Sequence, residues 1–174
     1  LLLLASLSAP AQNIRIMSAG LTVVEKTYQL DALFEITITP ALKEALNKGL
    51  ALHFEFEFGL THPRWYTLYL WNDRVVDFKQ RYRLSFNALT RQYRLRFGAL
   101  HQSFYTLQEA LAVLSRVRVP EILQIGELRS ERNYEAQIRL RLNKSQLPKP
   151  FQINAITSSD WTLTSEWYYW TVNP

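Results

Sequence analysis

The chain has 174 residues, 48% of them hydrophobic and 20% charged, which is the composition of a globular protein and excludes an intrinsically disordered one. It contains no cysteine, so disulfide bonds, thiolate catalysis, cysteine-ligated zinc and a lipid anchor on cysteine are excluded. The formal net charge of +5 favours anionic partners without identifying one.

The N-terminal segment has the pattern of an export signal. An apolar run over residues 1–7 precedes the small-x-small triplet Ala9-Pro10-Ala11. We therefore expect a signal-peptide remnant over residues 1–11, with cleavage after Ala11 and a periplasmic location. No stretch approaches the ~20 apolar residues of a spanning helix, so the mature chain is expected to have no transmembrane span. Residues 12–174 are expected to form a single mainly β domain.

Alternating apolar and polar residues dominate the rest of the chain and predict β-strands. In each alternating segment every second residue is apolar, and the residues between are mostly polar. These segments lie at 28–38, 52–58, 81–86, 92–97 and 136–142. Strands with one apolar and one polar face are typical of antiparallel sheets, whereas strands of parallel sheets are apolar throughout.

Two short helices are predicted between the strands. Thr39 can cap a helix that begins at the following proline and stops before Gly49. Thr106 and Glu109 have the spacing of a capping box and predict a second helix over 107–115. Each helix has about three turns and is too short to be stable alone, so both must lie against the sheet.

Turns are predicted where polar residues, glycine or proline separate these segments. Residues 87–90 and Gly98 mark two of them, and 130–133 is expected to form the tip of a hairpin. Pro148 and Pro150 are expected to break the chain after the last long strand.

The predicted fold class is mainly β, an antiparallel β-sandwich-like architecture of about eight to ten strands with two short helices. The alternative is an α+β fold in which one curved sheet carries both helices on one face. Two helices of three turns are too small to cover so much apolar sheet surface, which favours the sandwich.

Several long segments resemble a known family. They lie at 61–66 (THPRWY), 82–95 (YRLSFNALTRQYRL), 98–118, 147–155 (LPKPFQINA) and 160–170 (DWTLTSEWYYW). These segments resemble the proteobacterial exported family known as domain of unknown function 4390. The resemblance implies a periplasmic location and a link to envelope signalling. It implies no activity, cofactor or catalytic residue.

One strand carries side chains that could bind a metal ion. His53, Glu55 and Glu57 share a strand face, and imidazole with two carboxylates is a sensible ligand set. Alternate side chains on a strand lie roughly 6–7 Å apart, so a shared ion would need a further ligand from elsewhere. A solvated strand face is the simpler interpretation, and we predict no metal site.

Motifs for catalysis and for cofactor binding are missing from the sequence. It has no G-x-S-x-G or S-x-x-K motif of the kind that carries a catalytic serine. The nucleotide-binding motifs G-x-G-x-x-G and G-x-x-x-x-G-K-[ST] are also missing. We therefore predict a non-enzymatic protein with no cofactor and no identified catalytic residue. The alternative is a small envelope hydrolase whose acidic residues the sequence does not single out.

Basic residues are concentrated between residues 74 and 118, where nine lysines and arginines stand against two acids. Five of them share the polar faces of two successive strands and form one patch if those strands pair. These candidate binding residues are Lys79, Arg81, Arg83, Arg94 and Arg96. Arg139 and Arg141 extend the patch if their strand is adjacent. Alternatively, the arginines are a solvated sheet face or pair with acids of other strands.

Aromatic residues form a second candidate surface. Trp65 and Tyr66 lie in one cluster, and a second cluster occupies the C-terminal segment 161–170. Exposed aromatic side chains are typical of interfaces, although these could also cover both sides of a packed sheet.

Together these features predict a periplasmic binding or interaction module. Its basic, aromatic-edged sheet face would hold an anionic envelope component or an envelope protein. Nucleic acid is not expected as a partner, because an exported protein does not normally meet it and no recognition motif is present.

Overall fold

The computed structural model describes residues 13–62 and 73–174, which form nine β-strands and three α-helices. The strands are β1 (Ile14–Val24), β2 (Thr27–Ile36), β3 (Leu52–His62), β4 (Asp73–Asn87), β5 (Gln92–Phe97), β6 (Leu100–Phe104), β7 (Arg116–Gln124), β8 (Tyr134–Leu142) and β9 (Tyr168–Val172). The helices are α1 (Pro40–Asn47), α2 (Leu107–Leu114) and α3 (Lys149–Thr157). The predicted signal-peptide remnant and its cleavage site lie outside the described residues.

The strands form two sheets in which every neighbouring pair is antiparallel. A three-stranded sheet has the order β1-β2-β7, and a six-stranded sheet has the order β6-β5-β4-β3-β8-β9. The predicted mainly β, two-sheet antiparallel architecture is therefore confirmed, in preference to one curved sheet. In the described part of the chain, no helix is both long enough and apolar enough to cross a bilayer.

The apolar faces of the two sheets share one hydrophobic core. Phe54, Phe56 and Phe58 point to this side of β3, and all three side chains are fully buried. Phe34 of β2 meets Phe56 edge to face, with ring centroids 6.0 Å apart. This contact joins the two sheets, and edge-to-face pairs add stability beyond the area they bury. The alternation of β3 thus leaves its other face, with His53 and the two glutamates, turned away from the core.

Both predicted helices are present within one residue of their predicted ends. The Thr39 hydroxyl accepts a hydrogen bond from the Leu42 N–H of α1, and Gly49 follows the helix with φ of 95°. Thr106 and Glu109 form the predicted capping box of α2, each side chain accepting from the other's backbone N–H. Each helix buries one apolar face against the sheets, as an amphipathic helix of this length must.

The last long strand ends at Leu142, close to its predicted end, but Pro148 and Pro150 do not interrupt regular structure, because α3 begins at Lys149 and includes Pro150 in its first turn. Proline is tolerated at that place, since the first helical N–H groups have no partner within the helix. The first turn is closed by the Pro148 carbonyl, which accepts from the Phe151 N–H at 2.9 Å. The two prolines therefore mark the start of a helix.

The predicted hairpin at 130–133 is wrong. The strands on either side, β7 and β8, belong to different sheets and do not pair, so this segment crosses from one sheet to the other. The turns at 87–90 and at Gly98 are confirmed. In the first, the Asn87 side chain accepts from two backbone N–H groups of the turn. In the second, Gly98 adopts φ of 54° between β5 and β6.

Candidate functional site

The polar face of the six-stranded sheet brings five predicted candidate residues together. β4 and β5 pair as a hairpin, and this pairing places their outward basic side chains on neighbouring strands. All five side chains are exposed to solvent. We call this surface the basic face and define it by Lys79, Arg81, Arg83, Arg94 and Arg96.

Arg83 and Arg96 occupy directly opposite positions on β4 and β5. Side chains opposite one another in an antiparallel pair have Cβ atoms about 5 Å apart, and like charges there are destabilising. Among the residues that the structure describes, neither guanidinium has an ion-pair partner. The pair therefore concentrates unbalanced positive charge on one part of the sheet.

Two histidines continue the same row across neighbouring strands. His101 of β6 lies opposite Arg96, and His53 of β3 lies opposite Arg83. Burial lowers the pKa of the His53 imidazole, and the nearby Arg83 charge lowers it further. Four basic residues on four adjacent strands thus form a row that contains no acid. A row of this kind attracts carboxylates or phosphates, and guanidinium groups bind both with charge-assisted hydrogen bonds.

The central strand β3 carries two buried carboxylates beside this row. Glu55 and Glu57 are 4% and 7% exposed. Arg141 of β8 donates to both, from Nη2 to Glu55 and from Nε to Glu57, each at 2.6 Å. Arg139 donates from Nη2 to both carboxylate oxygens of Glu57 at 3.1 Å. Its guanidinium also lies 4.3 Å from the centre of the Trp167 ring, a favourable cation–π contact.

Arg139 and Arg141 therefore do not extend the basic face as open cationic groups. Their strand β8 is adjacent to β3, and β3 separates it from β4. Their guanidiniums neutralise the two glutamates, so the charge of the basic face stays unbalanced. Arg81 also reaches Glu55, from Nε to Oε2 at 3.3 Å, but its side chain remains 80% exposed. This contact is longer than the 2.6 Å bond from Arg141 to the same carboxylate, and most of the Arg81 side chain stays open to a partner.

The protonation state of Glu57 decides whether this carboxyl group could act as a general acid. Burial alone would raise the pKa of Glu57, but hydrogen bonds from Arg141 and Arg139 outweigh that effect and the pKa is lowered. Glu57 is therefore a carboxylate at neutral pH and holds no proton to give to a leaving group. Among the described residues, no group of three or more His, Asp or Glu side chains is arranged to hold a metal ion.

The predicted aromatic candidates differ in whether the structure describes them and in how far they are exposed. Trp65 and Tyr66 lie outside the described residues. In the C-terminal cluster, Trp161 is buried and Trp167 covers Arg139. Tyr169 of β9 lies opposite Gln137, on the polar side of the sheet, and is 52% exposed. The exposed aromatic side chain of β9 and the basic face on β4 and β5 therefore lie on opposite sides of β3, the strand that carries Glu55 and Glu57.

Sequence reasoning missed His101 as part of this site. Its polar neighbours in the sequence gave no signal, because its position beside Arg96 depends on the register between β5 and β6. The Gly98 turn could have located it, since a two-residue turn fixes which residues lie opposite one another.

Comparison with known proteins gives one match. A family model described as Domain of unknown function (DUF4390) matches residues 11–171, which confirms the resemblance seen in the sequence. No curated protein and no solved structure matches the chain. The family's description names no activity.

Proposed function

We propose that this chain, which belongs to the family described as Domain of unknown function (DUF4390), is a non-enzymatic periplasmic binding module. It holds an anionic partner on the basic face of its six-stranded sheet. The partner's carboxylate or phosphate groups bind between the side chains of β4 and β5.

The observation that carries this proposal is the position of Arg83 directly opposite Arg96 with no acid between them. Holding two like charges at a cross-strand position weakens the sheet. An anion bound between them removes the repulsion and gains charge-assisted hydrogen bonds. The arrangement is thus unfavourable in the free protein and favourable in a complex with an anionic partner.

The surroundings of this pair support binding rather than chemistry. Both arginines project from paired strands, so the sheet sets the position of their backbone, and the ordering that a partner must impose is confined to the two side chains. The two buried carboxylates of the neighbouring strand β3, Glu55 and Glu57, are already bound by arginines. Glu57, whose pKa is lowered, forms ion pairs with Arg139 and Arg141 within the sheet.

The proposal is tested by pull-down from a native envelope extract, with retained lipids and proteins both identified. The test variant is the double charge reversal Arg83→Glu with Arg96→Glu. The matched control is Arg116→Glu with Arg132→Glu, which changes the net charge equally at exposed positions on β7 and in the crossover to β8.

We expect wild type and the control variant to retain the same anionic component, and the test variant to lose it. Retention of the same components by all three proteins would overturn the proposal. Near-ultraviolet circular dichroism confirms beforehand that each variant is folded.

A further inference from the structure

The strand β4 has an edge that is only partly covered. Its C-terminal part, from Tyr82 to Asn87, pairs with β5. The β5–β6 hairpin turns back at Gly98, so the preceding part of β4, 73–81, pairs with β3 on one side alone within the described chain. An uncovered strand edge presents backbone N–H and C=O groups that can pair with another strand.

The register shows which residues present these backbone groups. The His53 carbonyl accepts from the Asn143 N–H next to β8, at 2.7 Å. Since backbone groups alternate in direction along a strand, the N–H and C=O groups of Phe54 point toward β4. Tyr82 lies opposite Phe54 and directs its N–H and C=O groups to β3, and Gln80, two residues away, does the same.

The alternate residues Lys79 and Arg81 therefore direct their N–H and C=O groups to the uncovered edge. In the described part of the chain, no strand or turn pairs with that edge. The side chains of the same two residues belong to the basic face. One short segment thus offers main-chain hydrogen bonds and positive charge together.

An open cleft of about 740 Å³ lies along this edge. On the polar side of the sheet it is lined by Lys79 and Arg81. On the other side it is lined by Phe78, Phe97 and Leu100, and Leu100 is 62% exposed. The cleft continues the line of β5 beyond the Gly98 turn, which is the place a further strand would occupy.

We propose that this edge is a strand-addition site for an extended acidic segment of a partner protein. A peptide lying along β4 would turn alternate side chains to the two sides of the sheet. Acidic residues would face Lys79 and Arg81, and apolar residues would face Phe78, Phe97 and Leu100. A polypeptide supplies the main-chain donors and acceptors that this edge needs, whereas a lipid or polysaccharide surface does not. The inference rests on the proposed function and names the class of partner.

The probe is a seven-residue capped peptide in which glutamate alternates with valine. Its control has the same composition in the order Glu-Glu-Val-Val-Val-Glu-Glu, which keeps the charge and removes the alternation. Binding is followed by NMR on the isotope-labelled protein at physiological salt. We expect the alternating peptide to bind at least tenfold more tightly and to slow the exchange of the Lys79 and Arg81 amide protons.

A pair of variants isolates the main-chain contribution. Lys79→Pro and Lys79→Ala both remove the charge, but only proline removes the outward N–H. We expect Lys79→Pro to bind the alternating peptide at least tenfold more weakly than Lys79→Ala. The exchange measurement on the wild-type protein decides the question independently if Lys79→Pro fails to fold.

Equal binding of the two peptides, with unchanged amide exchange at Lys79 and Arg81, would overturn the strand-addition site. If the shifts then fall on Arg83 and Arg96, the proposed function survives, because anions bind the basic face without adding a strand. Failure of the proposed function has a different signature, in which neither peptide perturbs any residue of the basic face.

Discussion

Arg83 on β4 and Arg96 on β5 face one another directly across the strand pair, and no carboxylate in the described residues pairs with either. The sheet has acids available nearby, yet Glu55 and Glu57 are bound chiefly by arginines of β8. The structure thus separates a neutralised half of the polar face from a cationic half. This division and the contacts around it have measurable consequences for stability, for titration and for anion binding.

The opposed arginine pair should lower the stability of the free protein. Arg96→Glu replaces a repulsive cross-strand pair by an attractive one, so we expect the free energy of unfolding to rise by about 0.2–1 kcal/mol. Urea unfolding measures this change. The control is Arg94→Glu, since Arg94 lies opposite the neutral Ser85. An equal gain in both variants would show that general charge reduction is responsible.

The pKa of His53 should respond to Arg83. Burial, and then the Arg83 charge, hold this pKa below its ordinary value of 6.5. Arg83→Gln removes the second cause, so the pKa should rise and still stay below that of an exposed histidine. An NMR titration of the imidazole measures it, with Arg94→Gln as the control. An unchanged pKa in Arg83→Gln would contradict the predicted charge contact.

His53 should also make stability depend on pH. Because its folded-state pKa is lowered, the unfolded chain binds this proton first as the pH falls. The contribution of neutral His53 is complete above 6.5, the ordinary pKa, and declines below it until the folded-state pKa is reached. Urea unfolding between pH 5 and 8 should show this decline in wild type and a smaller one in His53→Gln.

Glu57 should be important for stability rather than for catalysis. Glu57→Gln leaves Arg139 and Arg141 short of their partner in a mostly buried cluster, and we expect a loss of about 3 kcal/mol. The control is Glu35→Gln, whose pair with Arg15 is solvent-exposed and should contribute less than about 1 kcal/mol. Equal losses of unfolding free energy in the two variants would show that the buried ion pairs of Glu57 stabilise the protein no more than an exposed pair does.

The same carboxylate predicts a second effect of pH. The folded-state pKa of Glu57 is lowered, so its stabilisation is complete above the unfolded-state pKa and is lost as the pH falls through the folded-state pKa. Wild type should therefore lose more stability than Glu57→Gln on acidification below pH 5. Parallel stability curves for the two proteins would contradict the lowered pKa.

Local patterns in the sequence predicted much of this fold. Alternation located the strands because one face of each is buried, as in β3, where Phe54, Phe56 and Phe58 face the core. Helix starts were readable because Thr39 and Thr106 supply capping groups to their own neighbours. The start of α3 does not follow from these patterns, because proline both interrupts regular structure and suits the first turn of a helix, as Pro150 does here.

The order of strands could not be read from the same patterns, because alternation shows which face is buried and not which strand is adjacent. This is why the turn residues at 130–133 predict a hairpin tip, whereas the segment connects the two sheets. It is also why the sequence leaves open whether Arg139 and Arg141 extend the basic face or pair with acids of another strand, as they do with Glu55 and Glu57. The alternation of the glutamates in β3 did not reveal that they would be buried between two basic strands.

The most direct test of the basic face is an NMR titration of the wild-type protein with inorganic tripolyphosphate at physiological salt. We predict that the Nε–H signals of Arg83 and Arg96 shift together and saturably, and that the pKa of His53 rises as the bound anion offsets the Arg83 charge. Equal, unsaturated shifts at Arg83, Arg96 and the distant Arg15 and Arg118, with an unchanged His53 pKa, would contradict an anion site at this pair.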